Sequence, residues 1–360
     1  MPVSHAGGIS MIIAAGTIVS SLQSDRLTRR FGTGKVTAAS VLMTAAALFG
    51  FSISHSYAAL CLWAVPYGLG AGSVDASLNN YVALHYASRH MSWLHCMWGV
   101  GASLGPYIMG YALTGGQGWN MGYRYIAVLQ AALTALLIFS LPLWKKQGNH
   151  DMGQTEKEIT ANSLSLRQIV KIPGAKEVMI TFFCYCALEQ TTGLWASSYL
   201  VLCRGLSAET AAGFASLFFM GITAGRAFSG FLTLKLNDTQ MIRLGQGFIL
   251  FGIAFLFLPF GSTGSLIGLI LVGLGCAPVY PSIIHSTPEH FGADKSQAMI
   301  GVQVASAYVG TCFMPPIFGF IANHISVSLF PVYLLAILII MAAMHEKMLS
   351  KVTADKKKDL

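Results

Sequence analysis

The chain has 360 residues, of which 54% are hydrophobic and 10% charged, with a mean hydropathy of +0.61 and a formal net charge of +8. Soluble domains carry about 25% charged residues, so this composition excludes an ordinary soluble enzyme or binding module and points to a polytopic membrane protein. A net charge of this size would also suit a nucleic-acid surface, but the placement of the charges along the chain argues against one.

Apolar stretches long enough to cross a hydrocarbon layer of ~30 Å recur throughout. Only helices satisfy their backbone hydrogen bonds within a single segment in lipid, and no ten-residue alternation suggests a barrel. Eleven spans are expected, at roughly 7–22, 36–53, 58–87, 92–113, 124–144, 177–202, 210–234, 244–260, 264–288, 296–323 and 326–344. The expected fold is therefore all-α. A transmembrane bundle over 1–144 is followed by a linker over 145–176, a second bundle over 177–345 and a basic tail over 346–360.

Between the first two spans lies SSLQSDRLTRRFGTGKV, which places Asp25, Arg26, Arg29, Arg30 and Lys35 within eleven residues of an otherwise uncharged region. Basic residues set topology, but an acidic one does not. Asp25 is better suited to face the positive N-terminal end of another helix, such as the one beginning near Ser296, held there by Arg26, Arg29 or Arg30. Such a contact can form in one conformation and break in another. Gly32-Thr33-Gly34-Lys35 looks like half a phosphate-binding loop, but a basic stretch precedes it instead of a strand.

The third span carries Asp75, with Asn79 one turn on and Asn80 beside it. In the fourth, His95 sits three residues inside the helix, with Trp98 one turn further. Gly101 and Gly105 there, and Gly310 and Pro315 later, are expected to let helices pack closely or bend. The linker begins KKQGNHDMGQTEKE and ends in SLSLRQIVKIPG, an amphipathic piece expected on the membrane surface. Beyond it, Tyr185, Glu189 and Thr192 share one helical face, with Gln190 and Trp195 nearby. Arg226 lies eight residues inside the next span, ~12 Å deep, and either snorkels or reaches towards Glu189. Gln303 and Ser306 share a face of the span 296–323.

Of the fourteen acidic residues, only Asp75 and Glu189 sit deep in spans, each twelve residues from a span end and so ~18 Å deep. A bare carboxylate at that depth costs at least ~2.5–3.5 kcal/mol, so each must be protonated, paired or hydrated. Both are proton-coupling candidates, as is His95 for a relay role. Asn79, Asn80, Trp98, Tyr185, Gln190, Thr192, Trp195, Arg226, Gln303 and Ser306 are substrate-pathway candidates. Amides and aromatic platforms suit a polyhydroxylated ligand, although they serve equally between helices as packing contacts.

The basic residues fall on one side. If the opening stretch is cytoplasmic, 23–35 holds four, Arg89 is one, 145–176 holds six, 235–243 holds two, Lys295 is one and the chain after His345 holds five, nineteen in all. The opposite side has Arg124 and Arg204. The charge reports topology, with linker and C-terminus cytoplasmic, and not a nucleic-acid surface. The seven cysteines are odd in number and form no C-x-x-C pair; they read as small apolar packing residues.

An internal repeat is also visible. At a shift of 209, Ala15, Gly16 and Ser20 fall on Ala224, Gly225 and Ser229, and Val100, Gly101, Pro106 and Gly110 fall on Val309, Gly310, Pro315 and Gly319. At 205, Gly68-Leu69-Gly70 meets Gly273-Leu274-Gly275, Ser77 meets Ser282 and His85 meets His290. Parallel repeats on either side of a long linker are the organisation of a rocking transporter. In this register the span 177–202 has no partner in the first half, so a 6+6 protein shows 5+6 spans. The expected reason is a start placed too late or a truncated gene, the alternative a natural eleven-span form.

Ser21-x-x-x-Asp25-Arg26-x-Thr28-Arg29-Arg30 resembles the gating loop between helices 2 and 3 of the major facilitator superfamily, with Ser21 and Thr28 where that family has glycines. Leu94-His95-x-x-Trp98-Gly99-x-Gly101-x-x-x-Gly105-Pro106 and Ala277-Pro278-Val279-Tyr280-Pro281-Ser282 resemble the fifth and tenth helices of its fucose-permease-like sugar:proton symporters. The resemblance implies a major facilitator fold and alternating access gated by Asp25, Arg26, Arg29 and Arg30. It also implies proton-coupling acids in helices 1 and 4, the latter holding Asp75.

No H-E-x-x-H, G-K-[ST] phosphate loop or G-x-S-x-G occurs, so no enzyme activity, cofactor or metal is expected. The expected protein is a monomeric, multi-pass plasma-membrane transporter whose partners are a small polar solute, possibly a sugar, protons and the lipid bilayer. The alternatives are drug or metabolite efflux, or a truncated non-transporting remnant.

Overall fold

The computed structural model describes residues 3–151, 164–258 and 261–358; the middle of the expected linker, 152–163, lies outside them. The chain runs α1 (Val3–Phe31), α2 (Thr33–Ile53), α3 (Tyr57–His85), α4 (Ser88–Thr114), α5 (Trp119–Asp151), α6 (Leu166–Ile169), α7 (Ala175–Arg204), α8 (Ala208–Leu232), α9 (Asp238–Phe257), α10 (Gly261–His285), α11 (Thr287–Phe291), α12 (Ala293–His324) and α13 (Phe330–Lys356). A 3-10 turn, Val327–Leu329, precedes α13. Among the described residues no strand occurs.

The long helices correspond one to one with the expected spans, and among the described residues nine are long and apolar enough to cross a membrane. The two that fall short, α4 and α7, match the others in length but carry His95 and Glu189 inside them. Polar side chains lower the hydropathy of the helices that hold the candidate site. Of the amphipathic piece before α7, one turn, α6, is helical, with Ile169 buried and Gln168 Oε1 accepting from the backbone N–H and hydroxyl of Ser165.

Two helix ends differ from the expectation. The charged stretch after the first span is no loop: α1 continues to Phe31, and the chain turns at Gly32, whose φ of +81° favours glycine. Arg29 and Arg30 in its last turn suit the negative end of the helix dipole, and Arg29 pairs with Asp25 one turn back. The basic tail likewise continues α13 to Lys356. Lys351 Nζ bonds Glu177 Oε1 at 2.7 Å, and Lys356 Nζ donates to the Glu289 carbonyl at 2.9 Å.

The described chain clusters into two compact units, one of Met1–Tyr81, Gly101–Ile169 and Gly292–Ala305, the other of Val82–Val100, Val170–Phe291 and Ser306–Leu360. In the first, Leu48, Phe51, Leu60, Ala64 and Ala127 form a core against Trp63, Tyr67 and Tyr123. There α1 and α3 meet backbone to backbone, since a Cβ on Gly68 would run into the Ile13 carbonyl oxygen. The second unit repeats the contact between α8 and α10, where a Cβ on Gly273 would run into the Phe218 carbonyl oxygen. The Gly68/Gly273 match in the internal repeat therefore has a packing cause: neither helix pair tolerates a side chain there.

Candidate functional site

In the second unit, α4, α7, α8 and α10 bring seven residues together. Tyr185 and Glu189 lie one turn apart on α7, and the Tyr185 hydroxyl donates to Glu189 Oε2. From α8, Arg226 extends its guanidinium to both: Nη2 is 3.5 Å from Glu189 Oε2 and 3.4 Å from the Tyr185 hydroxyl. Arg226 Nη1 donates to the backbone carbonyl of His95 on α4 at 3.3 Å, and the Trp98 ring, a turn further, lies 5.1 Å from the guanidinium carbon. From α10, Tyr280 packs on the His95 ring with centroids 4.5 Å apart, and Phe182 lies equally close to Tyr280.

Arg226 is 2% exposed and Glu189 7%. An isolated ion at such burial is strongly disfavoured, so the two are retained as a hydrogen-bonded pair. Arg226 does not snorkel. Two polar atoms of the cluster stay buried without a hydrogen bond, Arg226 Nε and His95 Nε2. The first is a donor and the second an imidazole nitrogen that can donate or accept, and neither is satisfied among the described residues. Gly99 is what lets α4 come this near to α8, because a Cβ there would overlap the Thr223 side chain.

The first unit holds the other carboxylate. Asp75 on α3 is half-buried and accepts a 2.8 Å hydrogen bond from Asn79 Nδ2. Asn80 faces elsewhere, accepting from Ser296 Oγ on α12 at 2.7 Å. The start of α12 lies along the ends of α1 and α3: Gln297 Nε2 donates to Ser24 Oγ and to the Ala76 carbonyl, each at 3.3 Å. Arg29 joins these elements. Its Nε donates to Asp25 Oδ1 at 2.8 Å and its Nη2 to the Asp294 carbonyl in the first turn of α12 at 3.0 Å. Among the described residues Asp25 Oδ2 is buried without a hydrogen bond. Arg26 and Arg30 are exposed, and Arg30 stacks over Phe31.

Several candidates are occupied by packing. Thr192 bonds back to the Leu188 carbonyl, Trp195 Nε1 donates to the Pro315 carbonyl and Ser306 Oγ to the Met179 carbonyl. Gln190 is half-buried and Gln303 fully buried. Gly310 allows close approach, to the Phe183 carbonyl, as expected, but nothing lies within 4 Å of a Cβ on Gly101 or Gly105. Among the described residues these two therefore mark no close approach. Tyr280 and Gln297 were not singled out from the sequence. Tyr280 had its proline-flanked motif as a signal, whereas a glutamine four residues into a helix has none. Among the described residues no three His, Cys, Asp or Glu side chains form a metal-ligand set.

A helical multi-pass protein with charged side chains buried within its spanning helices is a membrane transporter by architecture. The Major Facilitator Superfamily model matches residues 1–302, and the chain belongs to that family. Over 357 residues it is 22% identical to the Saccharomyces cerevisiae protein "Bypass of stop codon protein 6", covering 90% of this chain and 71% of that one. It is 24% identical to "Uncharacterized transporter y4wD" of Sinorhizobium fredii, covering 90% and 83%. Among solved structures, the fold is similar to that of a variant of the E. coli fucose:proton symporter FucP, with a TM-score of 0.74 and 15% identity over 95% of this chain and 91% of that one. The proton:xylose symporter XylE bound to 6-bromo-6-deoxy-D-glucose gives 0.76 and 13% identity over 97% and 86%. The family consists of transporters and not enzymes.

Proposed function

We propose that the protein is a proton-coupled secondary transporter of a small, neutral, polyhydroxylated solute, working by alternating access between two helical bundles, 1–144 and 177–345. Orientation by the positive-inside rule places the linker and C-terminus in the cytoplasm, and the plasma membrane as a monomer is the setting that goes with it. The observation that carries the reading is the buried Tyr185–Glu189–Arg226 cluster, in which one carboxylate is held by a guanidinium and a phenol at once.

In this reading Glu189 is the proton site. A proton arriving on Glu189 neutralises it and weakens its hold on Arg226, whose free Nε and Nη donors then turn to solute hydroxyls. Loss of the proton restores the pair and expels the solute. Trp98 supplies a flat face beside these donors for a sugar ring, and Asp75 with Asn79 offers a second set of acceptors and donors. The sugar-symporter structures of similar fold favour a sugar-like solute over an efflux substrate.

The test is solute-driven proton movement. Proteoliposomes holding the purified protein and an internal pH dye are challenged with a panel of neutral monosaccharides and, separately, with organic cations and anions. The reading expects internal acidification with at least one monosaccharide, abolished by a protonophore. Uptake of charged organic solutes alone, or sugar uptake without proton movement, would contradict it.

A further inference from the structure

At the end of the second unit that bears the basic connections, a second buried ionic group lies apart from Glu189. His285, the last residue of α10, has both ring nitrogens engaged. Nδ1 is 2.6 Å from Asp238 Oδ2 at the start of α9, and Nε2 is 3.0 Å from the backbone carbonyl of Tyr86, between α3 and α4. The Ser88 hydroxyl, at the first residue of α4, donates to the other Asp238 oxygen at 2.6 Å. Both side chains are largely shielded, with 19% and 10% of their surfaces exposed.

Proton counting decides what this arrangement is. A carbonyl oxygen only accepts, so Nε2 carries a hydrogen. A contact of 2.6 Å between Nδ1 and a carboxylate oxygen also has a hydrogen in it, whether it rides on the ring or on the carboxyl group. An aspartate and a neutral imidazole together supply one hydrogen for these two contacts. The geometry therefore contains one proton more than that pair, and we infer that Asp238–His285 is a proton-operated latch. With the proton bound, it ties the Tyr86–Ser88 connection to the starts and ends of α9 and α10. Without it, either the carbonyl contact or the carboxylate contact loses its hydrogen and becomes a repulsion between lone pairs.

The surroundings hold charges of both signs. Glu289 on α11 is a second acidic group acting on His285, while His290 and Lys356 lie beside Glu289, the Lys356 ammonium donating to the Glu289 carbonyl. The sign follows. The latch holds while the extra proton is bound and releases once rising pH removes it. It responds to pH on the side carrying the basic loops, is separate from Glu189, and does not depend on which solute is moved.

The test is a distance measurement against pH. Spin labels on cysteines at Arg89→Cys and Lys235→Cys, both exposed positions, in a Cys203→Ser background, report on the latch in lipid nanodiscs. Between about pH 5.5 and about pH 8.5 the separated population should rise about tenfold, the size expected for losing one charge-assisted hydrogen bond. The rise should persist with Glu189→Gln and with His290→Gln. His285→Gln, which binds no proton, should be separated to the same extent at every pH, and His285→Arg, charged throughout, should lose the pH response. A wild-type distribution that ignores pH overturns the inference, and so does a response that survives in His285→Gln or disappears in His290→Gln.

Discussion

A guanidinium that is 2% exposed within a membrane-spanning helix needs a buried counter-charge, and Glu189 answers Arg226 across 3.5 Å. Removing one member of such a pair leaves the other uncompensated, typically a loss of 3–5 kcal/mol. Arg226→Ala should therefore destabilise the purified protein by about that amount in thermal unfolding, and adding Glu189→Gln should recover part of the loss. Equal melting of the single and double variants would mean the two residues do not interact. Tyr185→Phe keeps the ring beside Phe182 but removes the hydrogen bond to the carboxylate, a loss of about 1.5–3 kcal/mol. Much of this was legible in the sequence. Tyr185 and Glu189 are four apart, so helical geometry alone put them on one face. Whether Arg226 would snorkel or turn inward was not legible, because that depends on how near α7 and α8 come. Tyr280 was visible in its proline-flanked motif, but its packing on His95 was not, because an aromatic side chain reveals its partner only once two helices are packed.

Helices were easier to read than their ends. Seventeen or more apolar residues in a row have one stable arrangement in lipid, so the long helices appeared where hydropathy placed them. Their ends did not, because charged residues can extend a helix beyond the apolar layer through pairs one turn apart. Asp25 with Arg29 does so at the end of α1, and Lys351 with Glu177 fixes the extension of α13. Helix contacts give a paired prediction. Gly68→Ala pushes a methyl group into the Ile13 backbone and should lose about 1–3 kcal/mol of stability, by the usual scale of overpacking. Gly101→Ala meets open space and should change stability by less than about 0.5 kcal/mol. Thermal melts of the two variants, run together, check both. Equal losses would show that the backbone contact between α1 and α3 does not limit side-chain size. The repeat register suggested Gly68 and Gly101 alike, and only the packed helices tell them apart.

For the molecule as a transporter, two features are proposed to lie on its functional path. One is the contact of Asp25 and Arg29 with the first turn of α12. Asp25→Asn removes the charge that steers Arg29 but little packing. It should change transport rate and the labelling of cysteine probes on the basic side, while stability falls by about 1 kcal/mol or less, as for a partly exposed pair. Unchanged rate and labelling would remove its gating role.

The other feature is Glu189, and the central claim is that it carries the coupled proton. The most direct measurement compares proton-driven accumulation with counterflow exchange in the same proteoliposomes, for wild type and Glu189→Gln. Exchange needs no net proton movement, so the account predicts that the variant loses accumulation and keeps exchange. Weakened exchange with accumulation still driven by the proton gradient would make Glu189 a ligand-binding residue. Wild-type values in both assays would contradict the account outright.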